Sequence, residues 1–148
     1  MVKYLKLALI FVLLIQLFMV TSCTNSPEFQ LTVNGKSVKS SVDVFFYDEN
    51  DTDTAMFPYK ELLEALEVPA QGIKYHEKSH SLEIRLGETY IFLTEENKYP
   101  LVNTQLSEIT APPVIKEGQF CIPIKSVAEA LGYKFNWNET EKIIEIAS

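Results

Sequence analysis

The chain is poor in the residues that build disulfide scaffolds, zinc clusters and surfaces for nucleic acids. It contains only 2 cysteines and 2 histidines among 148 residues, and two cysteines form neither a disulfide framework nor a four-cysteine zinc site. Its formal net charge of −7 argues against a nucleic-acid-binding protein, which needs a basic face to meet phosphates. Its hydrophobic fraction of 47% is nevertheless ordinary for a globular domain, so a packed core is expected.

The first 22 residues have the pattern of a bacterial lipoprotein signal peptide. Two lysines and no acid precede an apolar run at residues 7–20, which is interrupted only by Gln16 and is followed by Thr21-Ser22-Cys23. A positive start, a short apolar run and small residues at a cleavage point are typical of secretory signals. The run of about 14 residues is also short of the roughly 20 that a membrane-spanning helix needs. The small residues ending at cysteine resemble a lipobox, which implies cleavage after Ser22 and lipidation of Cys23.

A lipid on Cys23 would place the protein outside the cytoplasm, anchored to the bacterial cell membrane. A diacyl group supports stable attachment, whereas one acyl chain binds a bilayer only marginally. Residues 23–28 are polar and contain a proline, so we predict a short tether there and a folded domain at 29–148. The alternative is an ordinary signal peptide or an uncleaved anchor in which Cys23 is incidental.

One sequence pattern occurs twice in the predicted domain. Residues 57–66 read FPYKELLEAL and residues 122–131 read IPIKSVAEAL, with proline, lysine, glutamate, alanine and leucine in register. The match continues downstream in two further pairs of segments, 73–77 with 135–139 and 82–84 with 144–146. A self-match of this extent predicts an internal repeat, with repeat one at about 29–87 and repeat two at about 88–148.

Each repeat is predicted to contain one helix followed by a β-hairpin. Pro58 and Pro123 suit the first position of a helix, where the missing N–H leaves nothing unpaired. Apolar residues recur at helical spacing after Pro123, and Gly132 stands where helices usually stop. The first repeat has Glu67-Val68-Pro69 there, which predicts a longer and looser exit. The period then changes to two, which is typical of strands with one buried face.

Short strands are predicted before each helix, and together these elements define the fold class. Residues 31–33 and 42–47 alternate as strands do, and Asn34-Gly35 predicts a two-residue hairpin turn. We therefore predict an α+β fold of two tandem repeats, each a small curved antiparallel β-sheet packed on one α-helix. The buried face of the second repeat is predicted to contain Val127, Leu131, Phe135 and Trp137.

The second repeat carries a resemblance to a known family. The segments that carry it are Val102-Asn103, 111–115 (APPVI), 118–125 (GQFCIPIK), 128–132 (AEALG) and Trp137-Asn138. They resemble the copper amine oxidase N-terminal domain family, small α+β stalk domains of secreted and surface proteins in Gram-positive bacteria. The resemblance covers residues 101–146 and, more weakly, 31–86. The chain departs from the family at Lys60 and Lys125, where arginine is usual, and at Thr104, where glycine is frequent.

This resemblance implies an accessory module without catalytic residues or a cofactor. Amine oxidase chemistry needs copper held by three histidines and a tyrosine-derived quinone, whereas this chain has only His76 and His80 and no Asn-Tyr-Asp/Glu motif. We therefore expect no amine oxidase activity. The predicted function is non-enzymatic binding or scaffolding at the cell envelope, toward a wall polymer or an envelope protein. An inhibitor or regulatory module of another surface protein is an alternative.

The segment His76-Glu77-Lys78-Ser79-His80 fits the H-E-x-x-H pattern of zinc hydrolases. On a helix, this spacing places two imidazoles on one face for zinc and leaves the glutamate as general base. A small surface zinc hydrolase is therefore the alternative from another functional class. The flanks at 73–75 and 82–84 alternate as strands do, so we predict a polar turn between two strands and no metal.

Three other features have both a functional and a structural interpretation. The acidic loop Asp48 to Asp53 offers oxygen ligands for calcium but lacks the glycine and distal glutamate of an EF-hand loop. Cys121 lies in an apolar strand and is predicted to be a buried free thiol. Trp137 and Tyr75 occupy matching strand positions, where they serve either as core residues or as an exposed platform for a ligand.

Overall fold

Residues 29–148 of the computed structural model form three small β-sheets and two short α-helices. The helices are α1 (Tyr59–Ala65) and α2 (Ile124–Ala130). The strands are β1 (Gln30–Val33), β2 (Lys36–Val38), β3 (Phe45–Phe46), β4 (Ala55–Pro58), β5 (Ile73–His76), β6 (Ser81–Leu86), β7 (Thr89–Thr94), β8 (Leu101–Val102), β9 (Gln105–Leu106), β10 (Val114–Lys116), β11 (Gln119–Pro123), β12 (Lys134–Asn138) and β13 (Ile143–Ala147). The predicted α+β class is confirmed.

Sheets A and B combine strands that are distant in the chain, whereas sheet C is formed by five consecutive strands. Sheet A has the order β12-β13-β1-β2, sheet B the order β10-β11-β4-β3, and sheet C the order β5-β6-β7-β8-β9. In sheet B the two strands that lead into the helices pair with each other, with Phe57 opposite Ile122. In sheet A the first strand pairs in parallel with the last, with Leu31 opposite Ile144.

The strand pairing corrects the prediction that each repeat forms its own antiparallel sheet. The hairpin β1–β2 belongs to the first predicted repeat but joins β12–β13 of the second, and β8–β9 of the second joins β5–β6 of the first through β7. The sheets are therefore shared between the two halves, and one pairing is parallel. Exchange of this kind is favourable because a separate half would expose strand edges and bury too little apolar surface.

One hydrophobic core connects both halves of the described chain. Buried residues from both helices and all three sheets form a single cluster that includes Leu31, Leu62, Leu66, Ile84, Leu93, Ile122, Val127 and Ile144. We therefore expect residues 29–148 to fold as one unit. On the face predicted for the second repeat, Val127 is fully buried, but Leu131, Phe135 and Trp137 are only partly buried.

Both helices begin immediately after a proline that still belongs to a strand. Pro58 and Pro123 have extended backbone angles, with ψ of 133° and 119°, and each is the last residue of its strand. The helices start one residue later than predicted, at Tyr59 and Ile124. The physical reason is that both prolines are also paired in sheet B, where Cys121 lies opposite Pro58.

Both helices end in the same C-terminal motif. The N–H groups of Val68 and Tyr133 donate to the carbonyl groups of Leu63 and Ala128 at 2.9 Å, as in a Schellman motif. The motif places Gly132 in the left-handed region with φ +89° and Glu67 there with φ +58°. The exit from the first helix is longer, as predicted, because residues 66–72 precede β5 whereas only residues 131–133 precede β12. It is not looser, because Glu67 adopts the conformation that glycine adopts in the second half.

Candidate functional site

An aromatic groove lies where sheets A and B meet. It is a cavity of about 650 Å³ lined by Phe29, Asp43, Val44, Phe45, Phe46, Glu49, Thr52, Lys116 and Trp137. The Trp137 ring centre lies 5.7 Å from that of Phe29 and 6.0 Å from that of Phe46. We call this cavity the tryptophan groove.

Short elements of the fold bring these rings together. Trp137 lies on β12 opposite Ile144, Phe46 belongs to the two-residue strand β3, and Phe29 directly precedes β1. The Phe46 ring is nearly perpendicular to that of Phe29, at 83°, and to that of Trp137, at 80°. Edge-to-face contacts of this kind are favourable. The three rings are half-buried, which leaves part of their surface for a ligand.

Charged groups of both signs surround the tryptophan groove. The ammonium group of Lys116 lies 3.8 Å from the centre of the Phe45 ring, and that of Lys142 lies 5.4 Å from the centre of the Phe29 ring. Such cation–π contacts show that these ring faces accept positive groups. Asp43 and Glu49 are exposed on the lining and offer acceptors for hydroxyl or amine donors.

The acidic loop that contains Glu49 is organised by its own hydrogen bonds. Asp48 accepts from the backbone N–H of Asn50 at 2.9 Å, and Asp51 accepts from that of Asp53 at 3.0 Å. Asp53 also binds the Lys125 ammonium group at 2.5 Å, and this hydrogen bond raises the pKa of Lys125. Three of the carboxylates considered for calcium thus have partners within the protein.

The position that matches Trp137 forms a second, smaller aromatic groove. Tyr75 stacks on Tyr59 with ring centres 5.6 Å apart, and Phe120 lies 5.2 Å from Tyr75. These rings line a cavity of about 480 Å³ together with residues that include Glu61 and Gln119. Burial raises the pKa of Tyr59 and of Tyr75, so both phenols stay neutral at ordinary pH. Each matched aromatic residue therefore combines core packing with the lining of a groove.

The H-E-x-x-H segment is not an α-helix. His76 ends β5, Glu77–Ser79 form one turn of 3₁₀ helix, and His80 has a left-handed backbone with φ +41° before β6 begins. The strand–turn–strand prediction is confirmed, so the one-face spacing that a helix gives to residues i and i+4 does not apply.

Each histidine of this segment pairs with a different carboxylate. Nε2 of His76 lies 2.8 Å from Oε1 of Glu83, and Nδ1 of His80 lies 2.5 Å from Oε2 of Glu95. The hydrogen bond from His76 lowers the pKa of Glu83. Across residues 29–148, no three histidine, cysteine or carboxylate side chains group closely enough to hold a metal ion. Each histidine therefore forms its own side-chain hydrogen bond within sheet C, His76 with β6 and His80 with the residue that follows β7.

Cys121 is fully buried in β11, as predicted, and has no disulfide partner among the described residues. Burial raises the pKa of its thiol to about 11. A thiol needs its ionised form to act as a nucleophile, so Cys121 is a packing residue beside Met56 and Ala111.

Comparison with protein families identifies the chain from most of its described length. The family model for the copper amine oxidase N-terminal domain matches residues 32–146. The chain belongs to the copper amine oxidase N-terminal domain family. The family predicted from the sequence is confirmed, and it assigns the chain to the accessory, stalk-type modules. No curated protein and no solved structure matched in the same comparisons.

Several predicted features of this copper amine oxidase N-terminal domain lie outside the described residues. These are the lipoprotein signal peptide, the cleavage after Ser22, the lipidated Cys23 and the tether at 23–28. Within residues 29–148, no helix is long and apolar enough to cross a membrane.

The sequence missed most of the tryptophan groove. The sequence indicates Trp137 as a platform for a ligand but does not connect it with Phe29, Phe45 and Phe46, because these residues are far from Trp137 in the chain. The strand expected over residues 42–47 is shorter in the structure, where only Phe45–Phe46 pair. The density of aromatic residues at 45–47 was the available signal.

Proposed function

We propose that this copper amine oxidase N-terminal domain is a non-enzymatic, lipid-anchored module that binds a cell-wall glycan outside the cytoplasm. The tryptophan groove carries this proposal. Aromatic rings stack on the apolar faces of sugars, and the carboxylates of Asp43 and Glu49 accept hydrogen bonds from hydroxyl groups. Few polar groups among several aromatic rings are typical of a ligand site.

The anchor in this proposal is Cys23, with cleavage after Ser22. It is supported by the apolar run that ends in small residues and cysteine. Six residues would connect the lipid to Phe29, a span of at most roughly 20 Å when extended. The groove would then lie near the outer surface of the membrane, close to the inner layers of the wall.

We also propose that the two halves arose by duplication of one unit. Both contain a strand that ends in proline, a helix of seven residues, a Schellman motif and a hairpin. Each half contributes one aromatic residue at the matched hairpin position, Tyr75 or Trp137. Duplication would explain two aromatic grooves on one chain.

Cosedimentation with purified wall sacculi tests the binding. The chain from Thr24 onward should pellet with sacculi, and Trp137→Ala should reduce the bound fraction strongly. Asn136→Ala is the matched control, because Asn136 lies on the same strand but on its exposed side, where it donates to Glu145. Equal binding by both variants would refute a role for the groove.

The anchor has its own test in cells. Intact-mass analysis of the membrane fraction should show a chain that begins at Cys23 with a diacylglyceryl group. Cys23→Ala should remain an unlipidated precursor. A mature N-terminus elsewhere, without lipid on Cys23, would contradict the proposed localisation.

A further inference from the structure

A buried carboxylate oxygen in the second aromatic groove has no partner. This groove is the cavity of about 480 Å³ lined by the rings of Tyr59, Tyr75 and Phe120 and by Glu61 and Glu77, and we call it the tyrosine groove. Oε2 of Glu61 is buried and forms no hydrogen bond within residues 29–148. Glu61 also takes part in none of the ion pairs of these residues. An acceptor buried without a donor is unfavourable, so water or a ligand is expected to supply one.

The second half of the chain gives an internal comparison for this position. In the repeated pattern, Glu61 corresponds to Ser126. Oγ of Ser126 accepts a hydrogen bond from the backbone N–H of Thr110 at 2.9 Å and lies 3.0 Å from Oγ1 of Thr110. The same helix position is thus compatible with a short side chain whose hydrogen bonds close within the protein. The fold does not require a carboxylate there. Buried charges in proteins are normally paired, which favours an external cation as the partner of Glu61.

The aromatic rings of the tyrosine groove suit a positive group. Tyr59 stacks on Tyr75 with ring centres 5.6 Å apart, and the ring centre of Phe120 lies 6.2 Å from that of Tyr59. Nζ of Lys60, which also lines the groove, lies 6.0 Å from the centre of the Tyr59 ring, and aromatic faces attract cations at about this distance. Lys60 is exposed and is not among the ion-paired residues of the described chain. It therefore does not serve as the counter-ion of Glu61.

Negative charge dominates around the tyrosine groove. Its lining holds two carboxylates and one ammonium group, which is a net charge of −1. The pKa of Tyr59 and of Tyr75 is raised mainly by burial, and carboxylates add to this effect, Glu61 at Tyr59 and both Glu95 and Glu77 at Tyr75. Carboxylates that disfavour a phenolate also attract a cation. The distribution of charge therefore favours a cationic ligand over a neutral one.

We propose that the tyrosine groove binds a small ligand that carries a primary ammonium group, with Glu61 as the counter-ion. A primary ammonium group donates three hydrogen bonds, so it can supply the donor that Oε2 lacks, while the carbon atoms beside it lie against the rings. A quaternary ammonium group carries the same charge but has no N–H, and an alcohol has a donor but no charge. The volume of the groove lies within the range of small-molecule sites. This site is independent of the proposed glycan site in the tryptophan groove.

An NMR titration with n-butylammonium chloride tests the class of ligand. Signals of Glu61, Tyr75 and Phe120 in the chain from Thr24 onward should shift saturably, with a Kd of roughly millimolar order for so small a ligand. The indole signal of Trp137 should not shift, because it reports on the other groove. 1-Butanol and tetramethylammonium chloride, at equal ionic strength, are matched probes with the same number of non-hydrogen atoms. Each should bind at least about tenfold more weakly, since one lacks the charge and the other lacks the N–H donor.

Glu61→Gln tests the counter-ion, because it removes the charge and keeps the size of the side chain. It should weaken the binding of n-butylammonium by about tenfold or more. Glu64→Gln is the matched control and should bind as the wild type does, because Glu64 lies exposed on the same helix and does not line the tyrosine groove. A melting curve establishes that each variant is folded. If Glu61→Gln does not fold, Glu61→Ser, which copies the second half, takes its place.

A role of Glu61 in helix stability alone would give a different result. A carboxylate in the first turn of a helix favours the helix dipole, so Glu61→Gln would then lower the Tm and leave the binding of n-butylammonium unchanged. That outcome would overturn the proposal, as would equal binding of either matched probe or a wild-type chain without saturable shifts in the tyrosine groove. Selective binding of n-butylammonium that is lost in Glu61→Gln and retained in Glu64→Gln would support it.

Discussion

Replacement of Glu67 by glycine should stabilise the protein. Glu67 has φ +58° at the position that follows α1, where the second half has Gly132 with φ +89°. A left-handed backbone costs an ordinary residue roughly 1–2 kcal/mol, and glycine avoids this cost. Its more flexible unfolded chain offsets about 0.5–1 kcal/mol of the gain. From the midpoints of these ranges, the net gain for Glu67→Gly is about 0.75 kcal/mol.

A melting curve measures this gain. Since 1 kcal/mol shifts the Tm of a domain of this size by roughly 3–5 °C, Glu67→Gly should raise it by about 2–5 °C. The carboxylate at the end of α1 is also unfavourable for the helix dipole, so Glu67→Ala is needed as a control that removes only the charge. The Glu67→Gly variant should have a higher Tm than the Glu67→Ala variant.

The reverse change in the second half is the companion measurement. A Cβ at Gly132 would meet no atom within 4 Å, so Gly132→Ala should destabilise through its backbone alone, by about 1 kcal/mol. The reasoning fails if Glu67→Ala stabilises as much as Glu67→Gly, or if Gly132→Ala is neutral.

Three other predictions concern two buried residues, Leu66 and Cys121, and the hydrogen bond between His76 and Glu83. Leu66→Ala, at a fully buried position, should lower the free energy of unfolding by about 2–5 kcal/mol. Lys78→Ala, at an exposed position, should change it by no more than about 0.5 kcal/mol. Similar denaturation midpoints for the two variants would contradict the placement of Leu66 in the core. With a pKa of about 11, the Cys121 thiol should react with a thiol reagent at pH 8 only after unfolding, and fast labelling of the native protein would show that it is accessible. The His76 hydrogen bond lowers the pKa of Glu83 below 4.5 in the folded state. The stabilisation from this hydrogen bond is therefore present above pH 4.5 and is lost as the pH falls through the lowered pKa of Glu83. His76→Gln should make the free energy of unfolding fall less steeply with decreasing pH below 4.5. An unchanged dependence would refute the hydrogen bond between His76 and Glu83.

The local structure was largely accessible from the sequence. Pro58 and Pro123 predict the starts of both helices to within one residue, and Asn34-Gly35 predicts the turn of β1–β2, where both residues have positive φ. These features depend on neighbours in the chain, so a single sequence contains them. The alternation around the H-E-x-x-H segment likewise distinguished a turn from a zinc helix.

The pairing of distant strands was not accessible in the same way. Alternation in residues 31–33 shows which side chains are buried but not that β1 pairs with β13 rather than with its own repeat. The tryptophan groove depends on that pairing, since Phe29 precedes β1 and Trp137 lies on β12. Strand β7 is not predicted by the repeat, because it lies in the second repeat and has no counterpart in the first. Its buried residues Ile91 and Leu93 flank the half-buried Phe92, so the sequence shows no clear alternation there.

The most direct test of the proposed function uses the single tryptophan of the chain. Trp137 lines the groove, so its fluorescence reports on the site without a label. Titration with soluble oligosaccharides released from the wall should give a saturable change in emission for the wild type and for Asn136→Ala. A flat titration at ligand concentrations up to the millimolar range, with the protein folded, would contradict glycan binding in the tryptophan groove.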